Sequence, residues 1–232
     1  MKILLAPAET KSEGGECLSL SEGKNLFFDN DEVLDIYENY LKNSSVEELS
    51  HWFGLKNLKE CEKYKSSILD KPTKKAIERY DGVAFEAIDY NNLDPKAQEF
   101  IDEHVMIYSN LFGILKADSL IPDYKFKQGS VLPNLNTEKY YAKHLKEKLD
   151  KYLDDEVLDL SAGYYLKFYK PTANVITYKF LKDGKVVSHF AKHYRGELVK
   201  QIALHNISSF AELMNFKFEN LTLLEMQQKK NV

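Results

Sequence analysis

Val175-Ile176-Thr177-Tyr178-Lys179-Phe180-Leu181-Lys182-Asp183-Gly184-Lys185-Val186-Val187-Ser188-His189-Phe190 reads as two apolar runs on either side of a two-residue turn. Asp183-Gly184 is the strongest hairpin signal in the chain, because a type I′ turn needs positive φ at both central positions. The chain continues Ala191-Lys192-His193-Tyr194-Arg195-Gly196-Glu197-Leu198-Val199-Lys200. Here the second strand ends in two cations and a glycine, and a helix follows from Glu197 to His205. Lys192 and Arg195 are thereby expected at a strand-to-helix junction, where free N–H groups and the positive end of the helix dipole favour an anion. Phosphate is the candidate, in a nucleotide or a nucleic-acid backbone. Two solvated cations at a turn would carry the same sequence.

Outward from this segment, strands and helices intermingle. Lys2 to Ala6 reads as a buried opening strand, and the Ser12-Glu13-Gly14-Gly15 and Ser21-Glu22-Gly23 clusters make 7–25 a polar loop. Asp29 or Asp31 caps a helix to about Leu41, Ser45-Val46-Glu47-Glu48 is a capping box for one through Phe53, and Lys56 to Leu69 is a third amphipathic run. Pro72 is expected to start a short fourth helix. Gly82 to Ile88 reads as a strand, and Asp94-Pro95 opens a helix to about Tyr108. Leu111 to Leu115 is a short apolar run, and Tyr124 to Gln128 alternates, placing Lys125 and Lys127 on one side and Tyr124 and Phe126 on the other. A helix is expected over Thr137 to Leu153, a strand over Val157 to Leu160, a turn or two of helix from Ser208 or Ser209, and a terminal strand over Phe216 to Met226. The prediction is a mixed α/β (α+β) fold with a central mixed sheet surrounded by helices, without the regular repeat of a doubly wound sheet.

At 232 residues and 44% hydrophobic content the chain can bury one substantial core. No repeat, low-complexity segment or linker divides it, so 1–232 is expected to be a single domain. The apolar run Ile3 to Ala8 is too short for a membrane span or a signal peptide, which leads to the expectation of a cytoplasmic protein without membrane contact. Cys17 and Cys61 are far apart in sequence and read as reduced thiols. The net charge of −4 is unevenly spread: residues 1–115 hold 13 basic and 22 acidic side chains, and 116–232 hold 19 and 14. The second half is therefore the better place for an anionic partner. Lys139, Lys143, Lys146, Lys148 and Lys151 recur there through one helical segment, a pattern shared with an ordinary solvated face.

Glycine-rich phosphate loops, the dinucleotide fingerprint and the Gly-x-Ser-x-Gly elbow are missing, and no catalytic residue or cofactor is indicated. His189 and His193 have the i, i+4 spacing of helical metal ligands, but their segment reads as strand and turn, so no metal is expected. His51, His104, His144 and His205 are scattered, and Asp154-Asp155-Glu156 reads as a solvated loop.

Several segments in order resemble the YaaA family of bacterial peroxide stress proteins. The family's S-P-A-K-T opening appears as Ala6-Pro7-Ala8-Glu9-Thr10, and its Y-x-G segment as Tyr80-Asp81-Gly82. Its L-x-G-L-Y-G-V-L-R block is Tyr108 to Lys116, the P-Y-R and M-G positions are Asp123-Tyr124-Lys125 and Gln128-Gly129, and A-K-x-A-R-G is Ala191 to Gly196. The resemblance implies a mixed α/β fold with a helix–hairpin–helix-like element near Leu111 to Lys116 and a positively charged cleft. It also implies a DNA-binding protein, acting on duplex or locally melted DNA, that limits free intracellular iron and oxidative DNA damage under peroxide stress. Candidate DNA- or phosphate-binding residues are Lys116, Lys125, Lys127, Lys192, Arg195 and Lys200, with Thr10 and Lys11 from the opening loop. An enzyme acting on a phosphorylated small molecule, a nucleotide or nucleobase, is the alternative for the same cations. The chain departs from the family at Glu9, where lysine is usual and Lys11 is the substitute, and at Ser161-Ala162-Gly163-Tyr164-Tyr165, which loses an acidic residue while keeping Tyr165 and Lys167.

Overall fold

The computed structural model describes residues 1–153, 155–182, 185–186, 188–218 and 223–229. The chain enters on β1 (Lys2–Leu5), buried along its whole length as a strand covered on both faces must be. A two-residue strand β2 (Thr10–Lys11) lies in the following loop, before three helices: α1 (Asp31–Asn43), α2 (Val46–Phe53) and α3 (Leu58–Lys65). The capping box of α2 is formed as expected: the Glu48 N–H donates to Ser45 Oγ at 3.2 Å and the Ser45 N–H to the Glu48 carboxylate at 2.7 Å. Asn30 occupies the cap position of α1 and makes no side-chain cap hydrogen bond, while the Asp29 carboxylate accepts the Asp31 N–H at 3.2 Å.

Next come β3 (Lys74–Lys75), α4 (Ala76–Arg79), β4 (Tyr80–Asp81) and α5 (Val83–Ile88). Pro72 does not open a helix, because Thr73 exchanges backbone hydrogen bonds with Cys17 and holds the chain extended until Ala76. Val83–Ile88 is a helix and not the expected strand. Its buried residues are Phe85 and Ile88, three apart, and a six-residue apolar run fits either period until its neighbours choose.

Asp94 caps α6 (Pro95–His104), accepting from the N–H groups of Lys96 and Ala97. This helix ends before Tyr108 because Val105 to Tyr108 belong to the fully buried β5 (Val105–Ser109). Then follow β6 (Gly113–Lys116), β7 (Leu120–Ile121), α7 (Thr137–His144) and α8 (Lys146–Tyr152), the last two being the expected single helix broken at Leu145. The chain closes with β8 (Glu156–Leu160), β9 (Asn174–Lys182), β10 (Lys185–Val186), α9 (Ser188–Leu204), α10 (Phe210–Asn215) and β11 (Leu223–Lys229). Lys185 to Phe190 is therefore strand only to Val186. Ser188 begins a helix that runs unbroken through Lys192, Arg195 and Gly196, so these residues do not sit at a strand-to-helix turn and the dipole argument for anion binding falls away. The antiparallel β9–β10 pairing matches the expected hairpin, while its turn, Asp183-Gly184, lies outside the described residues.

The strands form a mixed sheet in the order β10-β9-β8-β1-β5-β6, with β11 also paired to β9. β9, β8, β1 and β5 run parallel, and β6, β10 and β11 are antiparallel to their neighbours. The Leu111 to Lys116 block is part of the β5–β6 hairpin and not an exposed element between helices. Leu111, Phe112, Ile114 and Leu115 are buried, and the Phe112 N–H is taken by Ser109 Oγ at 3.0 Å. Gly113 sits at φ +77° with the Tyr141 ring where a Cβ would be, at 2.6 Å. Among the described residues no helix is long and apolar enough to cross a membrane.

Gly196 determines how closely α9 approaches α5. A Cβ there would lie 2.0 Å from the Ala84 carbonyl oxygen and 2.8 Å from the Ala87 Cβ. Gly196→Ala should therefore lower stability by about 1–3 kcal/mol, since overpacking against backbone outweighs the gain of about 1 kcal/mol in helix propensity. Thermal unfolding followed by circular dichroism should show a melting temperature several degrees lower; an unchanged or raised value would contradict the packing.

Candidate functional site

The strand order reverses between β1 and β8: from β1 the sheet builds outward through β5, and from β8 it builds the other way through β9. Loops leaving the carboxyl ends of such strands diverge and leave a crevice. A cavity of about 310 Å³ lies there, lined by Leu5 and Leu160 from the strand ends and by residues 6–10 of the loop after β1. Asp81 to Phe85, Asn110, Gln128, Ala162, Tyr165, Lys192 and Arg195 complete it.

The loop wall is held by a buried cation. Arg79 has no exposed surface and donates to the carbonyls of Ser12 at 2.5 Å, Gly14 at 2.8 Å, Pro72 at 3.2 Å and Ile121 at 3.2 Å. The Ser12 N–H returns a bond to the Arg79 carbonyl at 2.8 Å, and β2 pairs antiparallel with β4, bringing Thr10 opposite Asp81. Glu9 accepts the Gln128 N–H at 3.0 Å and so ties the 124–128 strap to the cavity rim.

The cationic wall comes from α9. Lys192 and Arg195 are three residues apart and share a helix face. Burial lowers the Arg195 guanidinium from its ordinary value and the Asp159 carboxylate opposes that shift; a guanidinium remains charged throughout. At the strand ends, Asn110 directly follows β5, and Tyr165 stacks on Tyr108 with centroids 5.0 Å apart. Burial raises the Tyr165 hydroxyl far above its usual value, so it stays protonated and can donate.

Of the eight expected binding residues, the structure brings Thr10, Lys192 and Arg195 to the cavity. Lys11 is folded under the loop, its Nζ 3.2 Å from the Glu9 carbonyl and 4.3 Å from the centre of the Tyr124 ring, so it props the wall without lining it. Lys125 and Lys127 project from the strap while Tyr124 and Phe126 are buried, as the alternation predicts, although the segment is not a strand. Lys125 Nζ is 5.9 Å from the Tyr64 ring centre, and Lys127 lies against Gly54. Lys116 pairs with Asp118 at 3.2 Å and Lys200 with Asp89 at 3.4 Å, and neither lines the cavity. In α7 and α8, Lys146 pairs with Asp150, Lys151 with Glu147, and Lys148 covers the Phe27 ring.

Asn110, Gln128 and Asp81 were not indicated by the sequence reading. Asn110 becomes legible only once Val105 to Ser109 is recognised as a strand, because residues just past the carboxyl ends of parallel strands line the crevice. His189 and His193 both lie in α9, so the reason for discounting them, a non-helical segment, does not hold; among the described residues no group of three metal-ligating side chains converges. Glu156 of the acidic run accepts the Phe210 N–H at the start of α10.

Residues 1–227 match a family model described as peroxide stress protein YaaA. The chain is 44% identical to an uncharacterized protein of Campylobacter jejuni, covering 99% of this chain and 95% of that one. It is 29% identical to a UPF0246 protein of Malacoplasma penetrans over 100% and 97% of the two chains, and 32% identical to one of Corynebacterium glutamicum over 88% and 85%.

Lys11 yields a prediction in this wall. Burial, the largest influence, lowers its pKa from 10.5 to about 8, against the opposing pull of Glu9. Between those values the unfolded chain binds the proton and the native protein does not, so the penalty is fully present below about pH 8 and relieved as pH rises toward 10.5. Relative to Lys11→Met, the wild type should gain stability over that interval in denaturant titrations. A stability difference independent of pH would show that Lys11 titrates normally.

Proposed function

The chain belongs to the peroxide stress protein YaaA family, and from that premise we propose that it acts in peroxide defence by binding DNA, duplex or locally melted, at the cationic mouth of this cavity. The observation that carries the reading is the pairing state of the cations. Lys116, Lys146, Lys151, Lys167 and Lys200 are each engaged by a carboxylate. Lys192 is exposed, makes no ion pair among the described residues, and shares the cavity with Arg195. Lys125 and Lys127 extend the cationic surface along the strap that meets the cavity at Gln128. Contacts from such groups to phosphates release counterions and read no base sequence, so shape and local melting would set the preference. Limitation of free iron, and with it of oxidative DNA damage, is taken as the consequence of that binding.

A second reading, a phosphorylated small molecule held or turned over in the same place, is favoured by the enclosure: a cavity of about 310 Å³ whose lining includes the carboxylates of Glu9 and Asp81 is of the size that takes small ligands. Salt titration separates the two. A duplex or bubble oligonucleotide followed by fluorescence anisotropy should weaken steeply with salt, and Lys192→Ala with Arg195→Ala should flatten the log–log slope by about one to two while Lys116→Ala leaves it unchanged. The double variant should keep a native circular dichroism spectrum and fail to restore peroxide resistance to a deletion strain. Absence of binding to several unrelated duplexes and bubbles at micromolar protein would contradict the DNA reading.

A further inference from the structure

We propose that the cavity holds a pentose phosphate unit, its phosphate at Lys192 and Arg195 and its hydroxyls at Asp81 and Thr10. This rests on the reading above and names the ligand unit that the cationic mouth admits. Arg195 is half-buried in the lining, and its guanidinium makes no hydrogen bond or ion pair among the described residues. Asp159, whose charge reaches it, is engaged by the N–H and the hydroxyl of Ser161 at 2.9 and 2.6 Å. A fork of N–H donors left open to a cavity matches the oxygens of a phosphate, and the exposed Lys192 ammonium adds a second charge. On the facing loops, Thr10 and Asp81 are paired directly opposite in the β2–β4 ladder, which places their side chains on one face. Both are exposed at the lining, and neither side chain has a hydrogen-bond or ion-pair partner among the described residues. The cavity therefore holds cations and a carboxylate that do not join each other, an arrangement that a ligand with an anionic end and a hydroxyl end would bridge.

The remaining lining favours a sugar over a base. Its aromatic residues are Phe85 and Tyr165, 8% and 3% exposed. The Tyr165 ring is enclosed by Tyr108, Tyr164 and Phe168, with centroids 5.0, 5.2 and 5.6 Å away, and Phe85 lies against Tyr80. No open ring face is left, so an unstacked base would lack the π surface that holds it in single-strand binding sites. Sugar hydroxyls, in contrast, donate to carboxylates in short charge-assisted hydrogen bonds, and Thr10 can both donate and accept. Ala8 and Val83 offer small apolar surface beside them. Inorganic phosphate alone would leave Asp81 and Thr10 unused. A pentose phosphate is both a free metabolite and the repeating unit of a nucleic-acid strand, where it stands clear of stacking at a position that has lost its base.

Calorimetric titration at fixed ionic strength with ribose 5-phosphate, 2-deoxyribose 5-phosphate, inorganic phosphate, phosphoethanolamine and adenosine monophosphate tests the assignment. At least one of the two sugar phosphates should bind about tenfold tighter than inorganic phosphate, the scale of one charge-assisted hydrogen bond. Asp81→Ala should bring that sugar phosphate down to the inorganic phosphate level, whereas Arg195→Ala should weaken both. On the unaltered protein, the 1,4-anhydro sugar phosphate, which lacks the C1 hydroxyl, should bind more weakly than its parent, and adenosine monophosphate no more tightly than ribose 5-phosphate. Duplexes with and without one tetrahydrofuran residue in place of a nucleotide separate the sources. A preference for the baseless duplex that Asp81→Ala abolishes would identify a DNA strand, and equal binding of the two duplexes beside intact sugar phosphate binding a free sugar phosphate. The assignment is overturned if neither sugar phosphate exceeds inorganic phosphate, if phosphoethanolamine equals them, or if adenosine monophosphate binds well above ribose 5-phosphate. Salt-dependent duplex binding that depends on Lys192 and Arg195 would in any of those cases leave the DNA reading standing.

Discussion

The approach of α9 to α5 at Gly196 is the contact from which the cationic wall follows. With the Ala84 carbonyl 2.0 Å from where a Cβ would be, no other residue permits this separation. Leu198, Val199, Ile202 and Ala203 bury the continuing face of α9, which fixes its rotation as well as its depth. Arg195, one residue before the contact, and Lys192, one turn earlier, are thereby carried to the carboxyl ends of β1 and β8. The glycine that follows the arginine is therefore a packing residue and not a turn residue, and the basic block derives its meaning from a helix–helix contact.

The facing wall depends on Arg79 in a complementary way. A guanidinium without solvent must have its charge and its donors answered by protein dipoles, and here four carbonyls from three separate segments do so. Removing the side chain would orphan these acceptors and release 12–15 from 72 and 121 together. The loop over 6–10, suspended between β1 and β2, keeps its shape because both of its ends are anchored, one in the sheet and one in this cluster. Glu9 then joins the loop to the strap through Gln128, a role for which a carboxylate, as an acceptor, is suited.

The fold was legible wherever a local signal had no competitor. The capping box at Ser45, the Asp94-Pro95 helix start, the buried runs of β1 and β8 and the mixed arrangement of strands and helices follow from residues acting on near neighbours. Val83–Ile88 and Ser188–Phe190 were misread because short apolar runs satisfy both periods, and the choice was made by packing between α5 and α9, which are far apart in sequence. The cations were found by type, but their availability was not, since ion pairs such as Lys200 with Asp89 join positions that only the fold brings together. Asn110 gave no signal because its place in the lining follows from the strand that ends beside it, and Val105 to Tyr108 reads locally as the continuation of the Asp94-Pro95 helix.

A crystal structure of the protein with a short single-stranded oligonucleotide tests the central claim most directly, that the crevice at the reversal of strand order is where nucleic acid is engaged. The account predicts a phosphate within hydrogen-bonding distance of the Arg195 guanidinium, with the backbone leaving over Lys192. An oligonucleotide lying along the α7 and α8 lysines, with the crevice empty, would contradict it.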